Sequence, residues 1–386
     1  MAEKTKLPVP IKYTGMICFF YGLQIFRCST RCHTISSILS KCYYMGIIAG
    51  FLHALRMIFI PKLTENGIVL GIFLIGALGV YVFLRRNISK IERVLYMVEG
   101  YLTEKDLILI RKTDKWINMM HYLILTVSLV LAVFYFACSR DDLRLQFQTA
   151  GLDHVSDTMI LVIIISAYVY HMKVLYGIIS CSILLYTITM VVFECMSQNL
   201  KSIIKQIVAE KATVQSITQI RTQLRIYWNW KQKADKFLNI FPFIWAAYVF
   251  LTVSLIMTKL IFEWHTTHVR HAFLMISTFF CTLLTVDLMI KWHLFTAPDK
   301  TMDKCMRLIF SLTDPRKNGN QVTLDPKLHQ EILSLHLEIA NAPTTYSTIL
   351  GAIRLNFKTL ISYVGALVNF AVMIISIRMA VKAQSE

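Results

Sequence analysis

Charged residues are scarce in this sequence of 386 residues. They make up 16% of the chain, whereas hydrophobic residues make up 56%, and the mean hydropathy is +0.55. So few charges exclude a soluble globular protein of this length. The apolar runs of about 20 residues match the hydrocarbon thickness of a bilayer, and they do not alternate as the strands of a membrane barrel do. We therefore predict an all-α, polytopic membrane protein that forms one domain over residues 1–386.

The sequence also lacks the motifs of common enzymes. It has no Walker loop, no glycine-rich dinucleotide turn, no His-Glu-x-x-His helix and no Cys-x-x-Cys pair. We therefore expect no enzymatic activity, no catalytic residue and no cofactor. Cys28 and Cys32, with His33 beside Cys32, could bind a metal ion, but a single cysteine pair is a weak indication and we expect no metal site.

Seven apolar segments are long enough to cross a bilayer. The predicted spans are about 42–60, 67–84, 118–138, 157–195, 237–262, 271–295 and 359–380. The fourth would measure about 58 Å as a helix at about 1.5 Å per residue, which is nearly twice the hydrocarbon core. Its inner end is therefore expected to project beyond the membrane. Because seven is an odd number, the two termini are predicted on opposite sides.

Basic residues give the orientation, since they collect in the cytosolic connections. The connecting segments form two sets that alternate along the chain. One set is 1–41, 85–117, 196–237 and 298–358, and it holds 30 of the 40 lysines and arginines. The other set is 61–66, 139–156, 263–270 and 381–386, and it holds five. This ratio predicts a cytosolic N-terminus and an extracellular C-terminus, the reverse of a G-protein-coupled receptor. It also explains the net charge of +17 without a nucleic-acid partner.

Two further expectations follow from this orientation. The sequon at Asn87-Ile88-Ser89 falls on the cytosolic side, so we expect Asn87 to carry no glycan. The long inner segments have apolar helical faces that only each other can bury, so they are expected to form a helical anchor layer beneath the membrane. One such face consists of Leu328, Ile332, Leu335 and Ile339.

Asp287 and Lys291 are charged residues within the predicted sixth span, four residues apart. Lys291 lies near the predicted cytosolic interface, where a long basic side chain commonly reaches out to the headgroups. We favour this interpretation. The alternative is an ion pair between Asp287 and Lys291 inside the bundle.

Aromatic and hydroxylated residues are frequent in the predicted outer halves of spans three to six. A mostly apolar cleft with a few polar groups is what a small organic ligand requires. The alternative is that these side chains merely fill a helical bundle. The candidate ligand-pocket residues are Tyr135, Tyr168, Tyr170, Trp245, Tyr248, Thr252, Ser277 and Thr278.

The last predicted span carries a stripe of small and polar residues at steps of three, four and seven, which places them on one helical face. Such a stripe can pack closely against another helix. It can also line a water-filled path with an apolar constriction at Val372 or Met373. The candidate pore-lining residues are Ser362, Gly365, Asn369, Val372, Met373 and Ser376.

The same region begins with Gly351-Ala-Ile-Arg-Leu355-Asn356 and continues to Asn369-Phe370, five apolar residues and Ser376-Ile377. This spacing resembles that of the insect chemoreceptors, particularly the gustatory receptors. Members of that family typically have Gly-x-Phe-x-Leu-Asp, then a helix closing with Thr-Tyr, five apolar residues and Gln-Phe. The predicted topology, the long fourth helix and the basic inner loops extend the resemblance over the whole chain.

The resemblance implies a ligand-gated, non-selective cation channel that detects a small organic tastant at the plasma membrane of a sensory neuron. It implies a homo- or hetero-tetramer of related receptor subunits, with the last helix of each lining a central pore. An odorant-receptor-type subunit that needs a co-receptor is the first alternative. A transporter is a second alternative, although no spans look broken or repeated in corresponding halves.

Overall fold

The computed structural model describes residues 12–21, 23, 30–59, 64–138, 156, 158–162, 165–166, 176–210, 212–262, 268–312, 326–342, 346–349 and 352–385, and these are almost entirely helical. The main helices are α1 (Lys12–Phe20), α2 (Thr30–Ile58), α3 (Thr64–Glu99), α4 (Glu104–Cys138), α5 (Gly177–Glu210), α6 (Val214–Leu238), α7 (Phe241–Phe262), α8 (His268–Ser311), α9 (Pro326–Ala340) and α10 (Phe357–Ser385). Two short antiparallel strands, β1 (Thr348–Ile349) and β2 (Ile353–Arg354), precede α10.

Several helices have the length and composition needed to cross a membrane. Within the described residues there are five such segments, and a sixth if α6 and α7, which meet at a bend of 41°, form one broken span. The five are Thr34–Arg56, Gly71–Glu99, Gly177–Glu210, Met275–Ser311 and Phe357–Ile377. The seven-span count and the sides of the two termini stay predictions.

The helices run well past the predicted ends of the spans. Helix α3 continues beyond residue 84 to Glu99 because Ile91, Leu95 and Val98 keep a buried face. Helix α8 passes Pro298 and ends at Ser311, so it continues about 16 residues beyond the predicted end of the sixth span. Hydropathy marks where a chain leaves the hydrocarbon, whereas a helix continues as long as its side chains find partners.

Helix α5 forms the centre of the bundle. Almost every residue from Gly177 to Ser197 is buried, and α3, α4, α6, α7 and α8 pack around it. A helix that is apolar on all sides is stable when other helices enclose it completely. Helix α10 is the opposite case, since most of its side chains are exposed and it packs mainly on α7.

The predicted anchor layer contains α6 and α9, which pack together through apolar and ionic contacts. Ile332 and Leu335 of α9 are buried, and Leu328 and Ile339 pack against the same core, so the predicted apolar face is confirmed. At the edge of this contact, Arg221 forms an ion pair with Glu331 at 2.9 Å, and a second arginine–glutamate pair joins Arg225 to Glu338.

Asn87 lies inside α3, where its side chain is 9% exposed. Its amide nitrogen donates a hydrogen bond to the carbonyl oxygen of Phe83 at 2.9 Å. A sequon is modified when its asparagine is presented on an accessible surface segment. A buried helical amide that is already bonded within its own helix is a poor acceptor for a glycan.

Helix α1 is fastened to α4 by one buried carboxylate. Asp114 accepts hydrogen bonds from the backbone nitrogens of Tyr13 and Thr14 at 2.9 and 3.1 Å, and from the Thr14 hydroxyl at 2.5 Å. It therefore caps the N-terminus of α1 from another helix. Burial raises the pKa of the Asp114 carboxyl, while these hydrogen bonds oppose the rise. Asn118 donates a further bond to the carboxylate at 3.0 Å.

Replacing Asp114 with alanine is expected to release α1 from the bundle. The change removes the shared acceptor and leaves buried donors without a partner, at a cost of about 1–3 kcal/mol for each such group. Hydrogen–deuterium exchange of the α1 amides should become at least about tenfold faster, since about 1.4 kcal/mol corresponds to a factor of ten. Glu104→Ala is the control, because Glu104 lies in the exposed first turn of α4, the helix that also holds Asp114. This change should leave the exchange of the α1 amides unchanged. Equal exchange in the wild type and in Asp114→Ala would contradict the proposed role.

Candidate functional site

The residues predicted to form a ligand pocket do not all come together. Trp245, Tyr248 and Ser277 are buried, whereas Thr252 is half-buried and Thr278 is exposed. Tyr168 and Tyr170 lie outside the described residues, and the side chain of Tyr135 is likewise outside them.

Trp245 and Ser277 lie at different levels of the bundle. Ser277 is fourteen residues from Lys291 along α8, or about 21 Å along the helix axis. Trp245 lies against Lys291, since the lysine nitrogen is 4.2 Å from the centre of the indole ring. The contacts of Trp245 therefore place it far from the level of Ser277, and the shared outer pocket stays a prediction. Helix α7 begins at Phe241, directly after the bend, which places Trp245 about one turn from the α6 end.

Three aromatic side chains meet at this level, two from α7 and one, Tyr176, from the residue just before α5. The ring of Tyr176 is 6.0 Å from that of Trp245 and 5.6 Å from that of Tyr248, and the last two rings stack at 5.8 Å. All three are buried. The indole nitrogen of Trp245 has no hydrogen-bond partner among the described residues, so it is a buried donor available to an acceptor.

Lys291 is buried beside these rings instead of reaching towards headgroups. Its ammonium nitrogen is 2.6 Å from a carboxylate oxygen of Asp287, and the two side chains are only 2% and 4% exposed. The interpretation of Lys291 as an interfacial lysine is therefore wrong, and the alternative of an ion pair describes the structure. The carboxylate and the indole face together compensate the charge that burial would otherwise disfavour.

His121 is a part of this region that the sequence did not reveal. Its ring stacks on Tyr176 with centroids 5.4 Å apart and planes 4° from parallel. Its Nδ1 atom lies 2.6 Å from the Ser180 hydroxyl oxygen. A lone histidine in an apolar segment gives no signal of its own, because its partners lie on another helix. We call the whole set the aromatic–cation cluster: His121, Tyr176, Ser180, Trp245, Tyr248, Asp287 and Lys291.

The aromatic–cation cluster has the chemistry of a recognition site for a small organic molecule. It combines apolar ring faces with a few fixed polar groups, which is the usual composition of such sites. Among the described residues, no group of three or more histidine, cysteine or acidic side chains is placed to hold a metal ion.

The predicted pore stripe is exposed along its whole length in the single chain. Ser362, Gly365, Asn369, Val372, Met373 and Ser376 are all exposed. The neighbouring face of α10 holds Tyr363, whose hydroxyl donates to the Ala246 carbonyl oxygen at 2.9 Å, and Phe370, whose ring lies 5.8 Å from that of Phe250. The stripe thus points away from α7, the helix on which α10 mainly rests.

The segment that precedes α10 is held against α6 and α8 through a buried polar network. Lys231 of α6 donates to Ser347 at 3.1 Å and to both carboxylate oxygens of Asp235 at 3.1 Å. The backbone nitrogen of Ser347 donates to Asp299 of α8 at 2.8 Å. We call these four residues the Lys231 network. Burial raises the pKa of the Asp235 carboxyl to about 6, and the Lys231 ammonium opposes the rise.

A second contact holds the same end of α10. The indole nitrogen of Trp292 donates to the carbonyl oxygen of Asn356 at 3.0 Å, one residue before the helix begins. Trp292 follows Lys291 directly on α8. One turn of α8 therefore contacts both the aromatic–cation cluster and the base of the last helix.

The fold has known counterparts among solved structures, although no protein-family model and no curated protein matches the chain. The insect olfactory receptor OR5 from Machilis hrabei is similar with a TM-score of 0.65 and 14% sequence identity. The similarity covers 95% of this chain and 97% of that chain. The structure of the same receptor in complex with eugenol matches equally well. At this identity the likeness shows the fold alone, which is that of the OR5 structures.

Proposed function

We propose that this chain is a subunit of a ligand-gated, non-selective cation channel that detects a small organic molecule. The observation that carries the proposal is the similarity to an insect olfactory receptor over 95% of the chain. The C-terminal spacing favours the gustatory type, in which the ligand is a tastant and the receptor lies in the plasma membrane of a sensory neuron. An odorant-type subunit that works with a co-receptor is the second candidate, because the solved counterpart is an olfactory receptor.

The exposed stripe of α10 supports a pore formed by several copies. Polar groups facing lipid are costly, so a membrane helix with an exposed Asn369 is expected to face protein or water. Four such helices around an axis would turn Ser362, Asn369 and Ser376 towards a central path. In this arrangement Val372 and Met373 form an apolar constriction that can exclude water when the pore is closed. The other subunits are copies of this chain or related receptor chains.

The aromatic–cation cluster is the candidate ligand site that the described residues support best. One OR5 structure contains eugenol, which is a small phenol. Stacked rings and an indole donor without a partner would accommodate a ligand of that kind in this chain. The outer pocket candidates Tyr135, Tyr168, Tyr170, Thr252, Ser277 and Thr278 stay predictions.

Current recording from cells that express the chain tests the proposed function. A panel of small organic tastants, with eugenol included, should evoke inward cation currents in a concentration-dependent manner. Expression alone and with candidate co-receptors separates the gustatory type from the odorant type. Saturable uptake of a panel compound without any single-channel events would support a transporter and contradict the channel.

Replacing Asn369 or Ser376 with leucine is expected to change permeation while surface expression is preserved. Each change removes a polar group from the stripe and narrows the proposed path, so the single-channel conductance should fall at least about twofold. Ile375→Leu is the matched control, since residue 375 is exposed but lies about 100° around the helix from residue 376. Normal conductance in both stripe variants would identify the stripe as a packing surface.

A further inference from the structure

Two cysteines from distant parts of the chain meet inside the bundle. Cys18 lies on α1 and Cys181 on α5, both are fully buried, and their Sγ atoms are 2.7 Å apart. This separation is only about 0.7 Å longer than a sulfur–sulfur bond. Both are free thiols in the structure. In the part of the chain that the structure describes, no other two cysteine sulfurs are in contact.

Contacts on both sides of the thiols fix their positions. About one turn before Cys18, Thr14 is bound to Asp114 through two hydrogen bonds. About one turn before Cys181, Gly177 lies directly against the phenol of Tyr21, and a Cβ atom at this glycine would overlap the ring. A larger residue at position 177 would therefore require the Tyr21 ring, which directly follows α1, to move. The approach of the two sulfurs is a consequence of how the two helices pack.

We propose that Cys18 and Cys181 form a reversible dithiol–disulfide site that links α1 covalently to α5 under oxidising conditions. This modification is independent of ligand detection and adds to the proposed function. In the predicted topology α1 lies on the cytosolic side, where glutathione and thioredoxin keep thiols reduced. Disulfides that form in such a compartment are usually transient and respond to redox conditions.

Hydrogen peroxide is a sufficient oxidant for the step. One sulfur attacks a peroxide oxygen, which breaks the oxygen–oxygen bond and gives a sulfenic acid and one water. The second sulfur then attacks the sulfenic sulfur, the sulfur–sulfur bond forms, and a second water leaves. In total, two thiol hydrogens and two electrons pass to peroxide. A dithiol reductant reverses the link through a mixed disulfide.

The burial of the two thiols also affects the rate at which they are oxidised. Burial raises the pKa of the Cys18 thiol, so only a small fraction is present as the reactive thiolate. Oxidation of the docked pair is therefore expected to be slower than that of an exposed thiol such as Cys42. Once formed, the link closes a loop from residue 18 to residue 181, so it strongly restricts the unfolded chain.

Mass spectrometry of the full-length receptor, purified in detergent and treated with hydrogen peroxide, tests the site. Free thiols are blocked with N-ethylmaleimide after unfolding, and the digested protein should contain a peptide pair linked through Cys18 and Cys181. The link should disappear after dithiothreitol. It should be absent from Cys18→Ser and Cys181→Ser, and present in Cys195→Ser, a control at another buried cysteine of the same helix. Recovery of both thiols in the blocked form after peroxide would overturn the proposal.

Hydrogen–deuterium exchange tests whether the link holds α1 in place. The α1 amides of the oxidised wild type should exchange at least about fivefold more slowly than those of the reduced protein, because opening of α1 is the step that the bond prevents. Cys181→Ser should show no such difference. Equal exchange in the two states of the wild type would overturn the fastening role. Neither readout depends on ligand or current, so a failure here is distinct from a failure of the channel proposal.

Discussion

Replacing Lys291 with methionine is expected to destabilise the folded chain by about 3–5 kcal/mol, because it leaves the buried carboxylate of Asp287 without its partner. The ammonium lies 2.6 Å from that carboxylate and 4.2 Å from the centre of the Trp245 ring. Methionine has a similar length and keeps the packing, so the loss should come from the charge. The thermal unfolding midpoint of the detergent-purified protein, measured by size-exclusion chromatography after heating, should fall by several degrees.

Two further variants separate the charge effect from a packing effect. The double variant Asp287→Leu with Lys291→Met removes both charges and should regain most of the lost stability, since apolar replacements of a buried pair are often neutral or stabilising. Lys300→Met, at an exposed position of the same helix, should change the midpoint little. A double variant that is as unstable as Lys291→Met would show that the loss comes from packing.

Replacing Lys231 with methionine is expected to cost about 3–5 kcal/mol near pH 7.5, and the cost should decrease as the pH falls. Lys231 is fully buried and lies beside the carboxylates of Asp235 and Asp299, 3.1 and 3.9 Å from them. Without the ammonium, two buried carboxylates remain, and repulsion and burial both favour their protonation. The variant should also loosen the base of α10, which depends on the bond from Lys231 to Ser347.

The sign of the pH effect follows from the direction of the pKa shifts. Burial raises the pKa of Asp235 from 3.8 to about 6, and Lys231 opposes this change. For a carboxyl whose folded pKa is raised, the folded state binds the proton more tightly than the unfolded state does. Its contribution to stability is full below the unfolded pKa and is lost as the pH rises through the folded pKa. Without Lys231 the folded-state pKa of the carboxyl groups rises further, so their contribution to stability is lost at a higher pH.

Thermal unfolding at about pH 7.5 and about pH 5.5 checks this prediction. The difference in the thermal unfolding midpoint between Lys231→Met and the wild type should be clearly smaller at the lower pH, because the two carboxyl groups of the variant are neutral there. Lys236→Met, at an exposed position of the same helix, should differ little from the wild type at either pH. An equal deficit of Lys231→Met at both values would contradict the role of the buried carboxylates.

The sequence revealed the parts of this fold that depend on local pattern. Apolar runs predicted the membrane helices, and residue spacing predicted that Asn369 and Ser376 share a face. The four-residue separation of Asp287 and Lys291 raised the ion pair as an alternative. Each of these features depends on residues close together in the chain, where helical periodicity alone determines the geometry.

Features that depend on packing between distant helices were not predictable in the same way. Lys291 was expected near headgroups because hydropathy does not show that Trp245, on another helix, covers it. The level of Trp245 depends on the 41° bend between α6 and α7. Pro242 is a sequence signal for a break at this point, but it does not give the angle of the bend. Asp114 and Thr14 are separated by 100 residues, and nothing in either segment points to the other.

The contacts at the base of α10 hold one end of this helix, so the helix can pivot about that end. Asn356, just before the helix, is held by Trp292, and the backbone nitrogen of Leu355 donates to Ser347 of the Lys231 network at 2.8 Å, whereas the stripe is exposed. A tilt of about 5° about Asn356 would move Ser376, about 30 Å away, by about 2.6 Å, but Ser362, about 9 Å away, by only about 0.8 Å. In the proposed channel, small movements of α8 would therefore be magnified towards Ser376, so the far end of the pore would widen first.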